Sequence, residues 1–328
     1  MTIAAAVNFI EWQPHPEVWA MLIAIVALGG YAVRVIGPKV VPAHEEIVST
    51  RHKRAFAAAV FLLYVASDWP MHDIAEEYLY SVHMIQHLII SFVVPPLIMM
   101  AIPTWLARLV IIDGGVTSKV IQWLAKPVVA GVIFNALAAL THWTAVVRLS
   151  IESGGFHYII HLAIFTSALL MWLPVIGPLP ELRMSETGRL VYLFLMSVIP
   201  TLPAAWLTFA DGVVYKVYDT PDRLWGINVT DDQQAAGFVM KILGGFYLWT
   251  WIGILYFRWA KKSDDRPGRG SANGRRPEDR ARAAAAERAA ALVLNSSSGG
   301  ALTETELTFE DVQAEFERSG PPPDPETQ

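Results

Sequence analysis

Glu76–Val94, EEYLYSVHMIQHLIISFVV, decides how this chain is read. The run is apolar enough to be a membrane-crossing helix, the third in the chain, yet it contains His83 and His87. Residues four apart lie on one helix face, one turn above the other. An imidazole in hydrocarbon carries a desolvation cost that calls for a partner. A second pair at the same spacing, His157 and His161 in HYIIH, follows downstream. Two such pairs point to a site, with hydrogen bonding between helices as the plainer alternative.

Around this stretch the composition is that of a polytopic membrane protein. The 328 residues are 54% hydrophobic and only 17% charged, against about 25% in an average soluble protein. A net charge of -5 suggests no nucleic-acid partner. The absence of cysteine excludes disulfides and thiolate metal sites. The opening MTIAAAVNFIEWQPHPE has no basic region before an apolar one, so no cleaved signal peptide is expected.

Seven apolar segments are predicted, so the fold class is all-α, a seven-transmembrane-helix bundle. They run over Val18–Ile36, Arg51–Ser67, Leu79–Val94, Ile121–Val147, Phe156–Leu173, Leu190–Phe209 and Ala235–Phe257. A span needs about 20 mainly apolar residues. The second is short, and Arg51, Lys53 and Arg54 would lengthen it by snorkelling. Basic residues favour the cytoplasmic side. With the N-terminus outside, the connections holding Arg34, Lys39, Arg51, Lys53, Arg54, Arg108, Lys119, Lys126, Arg183 and Arg189 all fall inside. Those holding Asp68, Asp73, Glu76, Glu77, Asp211, Asp219, Asp222, Asp231 and Asp232 fall outside. The C-terminus is then cytoplasmic. Pro95-Pro96 is expected to close the third helix, Pro200 and Pro203 to kink the sixth, and Gly244-Gly245 to permit close packing of the seventh. The chain divides into a membrane domain, 1–260, and a cytoplasmic tail, 261–328, mostly disordered, with short helices expected near Glu278–Val293 and Thr308–Arg318.

In this topology His72, His83, His87, His142, His157 and His161 all fall in outer loops or the outer halves of helices. At about 1.5 Å per residue, His83 and His87 lie roughly 6 and 12 Å below Leu79. His161 lies about 7 Å below Phe156, and His142 reaches a similar level. One shared site could hold copper or zinc, or ligate haem iron axially. Met84, a thioether, would suit copper. Asp68, Asp231 and Asp232 are candidates to orient imidazoles or attract cations, and Lys241, inside the seventh helix, to pair with Asp231 or Asp232.

These residues carry a resemblance. EEYLYSVHMIQHLII, HYIIHLAIFTSALLMWLPVIGPLP and TDDQQAAGFVMKILGG resemble the CtaG-type cytochrome c oxidase assembly proteins of bacteria, over approximately residues 12–260. The resemblance implies a non-enzymatic, multi-pass plasma-membrane protein that helps copper reach a haem-copper oxidase subunit, with another copper carrier as a further partner. By position it implicates His83, His87, His157, His161 and the Asp232-Gln233-Gln234 opening of the last helix, with His72 and His142 beside them. The alternatives are a haem-binding redox protein, using histidines of the third and fifth helices, and a proton-coupled transporter using Lys241.

Overall fold

The computed structural model describes residues 12–221, 223–264 and 287. The expected tail helices and its expected disorder lie outside the described residues. The chain divides into units Met1–Lys261 and Lys262–Gln328, and the following concerns the first.

The helices are α1 (Pro16–Val40), α2 (Thr50–Ser67), α3 (Tyr80–Ala101), α4 (Val116–Leu124), α5 (Pro127–Thr141), α6 (Thr144–Glu152), α7 (Gly154–Ile176), α8 (Glu186–Thr208) and α9 (Val229–Asp264). Among the described residues, α1, α3, α7, α8 and α9 are long and apolar enough to cross a membrane. The pair α4–α5, bent by 73°, would make a sixth span. α2 begins with Arg51, Lys53 and Arg54, which leave too short an apolar remainder for it to qualify on length and composition alone.

α3 lies at the centre. Its residues enter three buried clusters: Phe92 and Met99 with Trp172 of α7, Leu193 of α8 and Leu248 of α9; Tyr80 and Met84 with Val147, Leu207 and Ala236; and Val94 with Val18 and Leu22 of α1 and Ala59 and Leu63 of α2. Close approach depends on small residues, as expected where lipid is as apolar as the side chains. A Cβ on Gly237 of α9 would lie 2.5 Å from Thr208 Oγ1 and 2.7 Å from the Ala204 carbonyl of α8. Of the Gly244-Gly245 pair, a Cβ on Gly244 would lie 3.1 Å from Leu88 of α3, whereas one on Gly245 would meet no other element within 4 Å.

Three expectations need correction. The third helix does not begin at Glu76. Ile74–Tyr78 forms a π-helical turn, Leu79 is extended (φ -129°, ψ 112°), and the helix starts at Tyr80. Nor does Pro95-Pro96 end it. The two prolines follow a π-helical turn, Ile89–Val93, and the helix continues to Ala101. Pro95 cannot donate to Ser91, but the Trp172 indole donates to the Ser91 carbonyl instead (3.3 Å). Finally, the predicted fourth segment is broken, with Pro127 as the first residue of α5 and a second turn at His142–Trp143 before α6. Proline is favoured in the first turn of a helix, where its missing N–H has no partner to lose. The sixth segment is interrupted as expected: α8 consists of Glu186–Val198 and Thr201–Thr208, joined at Pro200.

Candidate metal centre

α3 and α7 turn their HxxxH faces toward each other. Ring centroids are 4.4 Å apart for His83–His87, 4.7 Å for His87–His161 and 5.9 Å for His83–His161. His83, His87 and His161 each offer a nitrogen within 4.8 Å of the others. Three imidazoles at this separation form a donor set suited to copper, zinc, iron or nickel. The His83 Nδ1 is buried without a hydrogen-bond partner, an expensive condition in a protein interior unless something binds there.

His157, one turn before His161 (centroids 4.2 Å), points into a neighbouring cluster. Its Nε2 is 2.5 Å from Glu76 Oε1, and His72 Nε2 is 3.1 Å from the same oxygen. The Ser150 hydroxyl lies 3.1 Å from His157 Nδ1, and the Gln86 amide nitrogen lies 3.1 Å from His72 Nδ1. Gln86 is itself held by the Ala66 carbonyl (2.7 Å). These contacts fix both rings by the nitrogen that faces away from Glu76. Glu76 belongs to the π-helical turn before α3, whereas His157 is in the first turn of α7. Burial pushes the Glu76 carboxyl up, but His157 and His72 outweigh it and hold the group below the ordinary carboxylate range.

The chain of histidines continues to His15, whose ring lies 4.8 Å from that of His72 and whose Nε2 contacts Asp73 Oδ1 at 2.7 Å. Burial disfavours the His15 cation, yet Asp73 and then Glu17 overcome this and raise it above its ordinary value.

Among the other predicted residues, His142 stands apart from both clusters. Its Nδ1 lies 2.6 Å from the Ala138 carbonyl, which can only accept, so the ring proton is on Nδ1. The opposite Nε2 is buried without a partner, and the ring lines a cavity with His87, Met84 and Lys241. Met84 is buried with Tyr80 and Val147.

The acidic and lysine expectations are corrected. Asp232 does not orient an imidazole; its carboxylate accepts from the backbone N–H of Tyr80 (2.7 Å) and Ser81 (3.1 Å), and from the Ser81 hydroxyl, capping α3 from a helix 150 residues away. Helix N-termini leave N–H groups unpaired, and a carboxylate there is doubly favoured by the helix dipole. Asp231 is exposed in the first turn of α9. Asp68 accepts from the Trp19 indole (3.0 Å), tying α1 to the end of α2. Lys241 donates to Thr201 Oγ1 of α8 (2.5 Å), not to an aspartate, because it lies two turns beyond them along α9.

The rest of the TDDQQ opening is also structural. Gln233 Oε1 accepts from Val214 and Tyr215 N–H (2.9 and 3.1 Å), while Gln234 donates to the Ala210 carbonyl (2.9 Å). This pins the α8–α9 loop, whose Tyr215 and Tyr218 hydroxyls donate to the carbonyls of His142 (2.8 Å) and Ala75 (3.2 Å). The last helix thus holds the site's walls.

Glu76, Gln86, Ser150 and His15 were not anticipated at the site. Glu76 was visible only as an acidic loop residue. The one signal available for Gln86 was its place inside HMIQH, flanking the histidine face.

No curated protein and no solved structure matches the chain. A family model does, over residues 30–262, the greater part of the chain and all of α2 to α8. The chain belongs to that family, the cytochrome c oxidase caa3 assembly factors (Caa3_CtaG).

Proposed function

We propose that this chain carries copper for oxidase assembly, holding the ion on His83, His87 and His161 and passing it within the bilayer to a subunit of a haem-copper oxidase. The observation that carries this reading is the convergence of three imidazoles from α3 and α7, with one inward-facing nitrogen buried and unpartnered. Divalent copper stands at the top of the affinity order for nitrogen donors. The ion is cargo, so the chain acts as a carrier and not as an enzyme. A second copper carrier is its source.

The proposed setting is a bacterial plasma membrane with seven spans, N-terminus outside, α2 counted as a span through the snorkelling of Arg51, Lys53 and Arg54. This places the histidines near the extracytoplasmic face. The haem reading fits less well. Axial ligation needs a planar macrocycle between two imidazoles, whereas His87 and His161 are 4.7 Å apart beside a cavity of about 20 Å³. The transporter reading loses its proton relay, since Lys241 pairs with a hydroxyl.

Oxidase matured beside a His87→Ala/His161→Ala variant should contain its haems but be depleted in copper by mass spectrometry. Oxidase with full copper content under those conditions would overturn the proposal.

A further inference from the structure

The geometry points to two metal positions in series: His72, Glu76 and His157 form a second site at the turn before α3, which receives the ion and hands it to His83, His87 and His161. This rests on the carrier reading above and adds the route by which the ion arrives.

The first argument is the convergence of three donor atoms from separate elements. Ligand atoms of His72, Glu76 and His157 lie within 4.8 Å of one another, although they come from the turn after α2, the π-helical turn and α7. Glu76 Oε1 and His157 Nε2 approach to 2.5 Å, His72 Nε2 lies 3.1 Å from the same oxygen, and the first two atoms are buried. His72 and His157 are themselves 8% and 5% exposed. Three donor atoms gathered this closely are what a cation requires.

The second argument is a shared cavity. Glu76, His83, His87, His157 and His161 line one space of about 20 Å³, room for one water or one ion. Glu76 and His161 thus face one enclosed space. On the other side, His72, His157 and His161 line a wider cavity of about 240 Å³ together with Glu17, at the end of α1 where His15 and Asp73 also lie.

The third argument is the difference between the donor sets. The second site has a carboxylate oxygen and two imidazoles, a mixed N/O set suited to divalent Cu or Zn. The inner site has imidazoles alone. Glu76 supplies the one carboxylate lining the shared cavity among the described residues, so it offsets the ion's charge on entry. Transfer inward exchanges His72, Glu76 and His157 for His83, His87 and His161, with no change in the ion's charge and no bond broken except those to the metal.

The test is Cu²⁺ stoichiometry on the purified full chain, by equilibrium dialysis and mass spectrometry, with Zn²⁺ as competitor and EPR of the bound Cu²⁺. The wild type should hold about two equivalents. Glu76→Gln should hold one and lose the mixed N/O EPR signal, while Glu76→Asp keeps it. His87→Ala/His161→Ala should keep the signal that Glu76→Gln loses. Metal-free thermal unfolding shows whether each variant is folded; should Glu76→Gln not survive purification, His72→Gln makes the equivalent deletion. A wild type holding one equivalent, lost in the His87/His161 variant, would overturn the second site and leave the carrier reading standing. Two equivalents retained by both Glu76→Gln and His72→Gln would also overturn it. Two equivalents retained by the His87/His161 variant would overturn the carrier reading instead.

Discussion

His15 is where the bundle's charge chemistry meets the aqueous edge. Its pKa is raised by Asp73 and Glu17 against the effect of burial. The contact therefore contributes stability that is complete below the unfolded value of about 6.5 and is lost as pH rises through the higher folded value. His15→Gln should destabilise the metal-free protein at about pH 6 and make little difference at about pH 9, measured by thermal unfolding in detergent. A pH-independent difference would show that the His15–Asp73 pair does not titrate as the geometry requires. At the same scale, Asp232→Ala leaves the Tyr80 and Ser81 N–H groups uncapped at the start of α3. The expected loss is about 1–2 kcal/mol of stability, the range for helix N-caps, with metal binding weakened because His83 sits one turn further on. A variant as stable as the wild type would remove Asp232 from this role.

Individual residues were unevenly legible in the sequence. The HxxxH spacing of His83/His87 and His157/His161 announced which side chains share a face, because helical period alone decides that. Asp232 and Tyr80 are 152 residues apart, and no local pattern connects them. Glu76 lies seven residues before His83, a spacing that would put both on one face of a continuous helix, but its charge assigned it to the outer connection. It reaches His157 from the separate Ile74–Tyr78 turn, which extended Leu79 divides from α3.

At the scale of elements, hydrophobic runs located α1, α3, α7, α8 and α9, since length and polarity are all that a span needs. Irregularities were harder to see. A π-helical turn has no compositional mark, and it changes both where α3 begins and how Pro95 is accommodated. The break at Pro127 had a visible cause, but the surrounding apolar run concealed it. Helix packing yields a further test. Gly237→Val would drive side-chain carbon into Thr208 and the Ala204 carbonyl, forcing α9 from α8. It should cost about 1–3 kcal/mol, as overpacking does, whereas Gly245→Val, facing open space, should cost far less. Thermal unfolding of the two variants side by side compares them, and equal losses would contradict the close approach at Gly237.

For the whole molecule, the arrangement is a bundle in which α9 braces one end. Its Asp232 caps α3, its two glutamines pin the α8–α9 loop, and that loop's tyrosines hold the backbone beside His142 and Glu76. The chain thus fixes its metal-capable side chains from outside the spans that carry them, as a preformed site needs. Family membership supplies the destination, an oxidase under assembly. The histidines supply a donor set for the proposed cargo. The most direct measurement is the copper content of the purified chain, by mass spectrometry, for wild type and the His87→Ala/His161→Ala variant, with circular dichroism to establish that both are folded. The account predicts copper in the wild type and loss of at least one equivalent in the folded variant; unchanged copper content in that variant would contradict it.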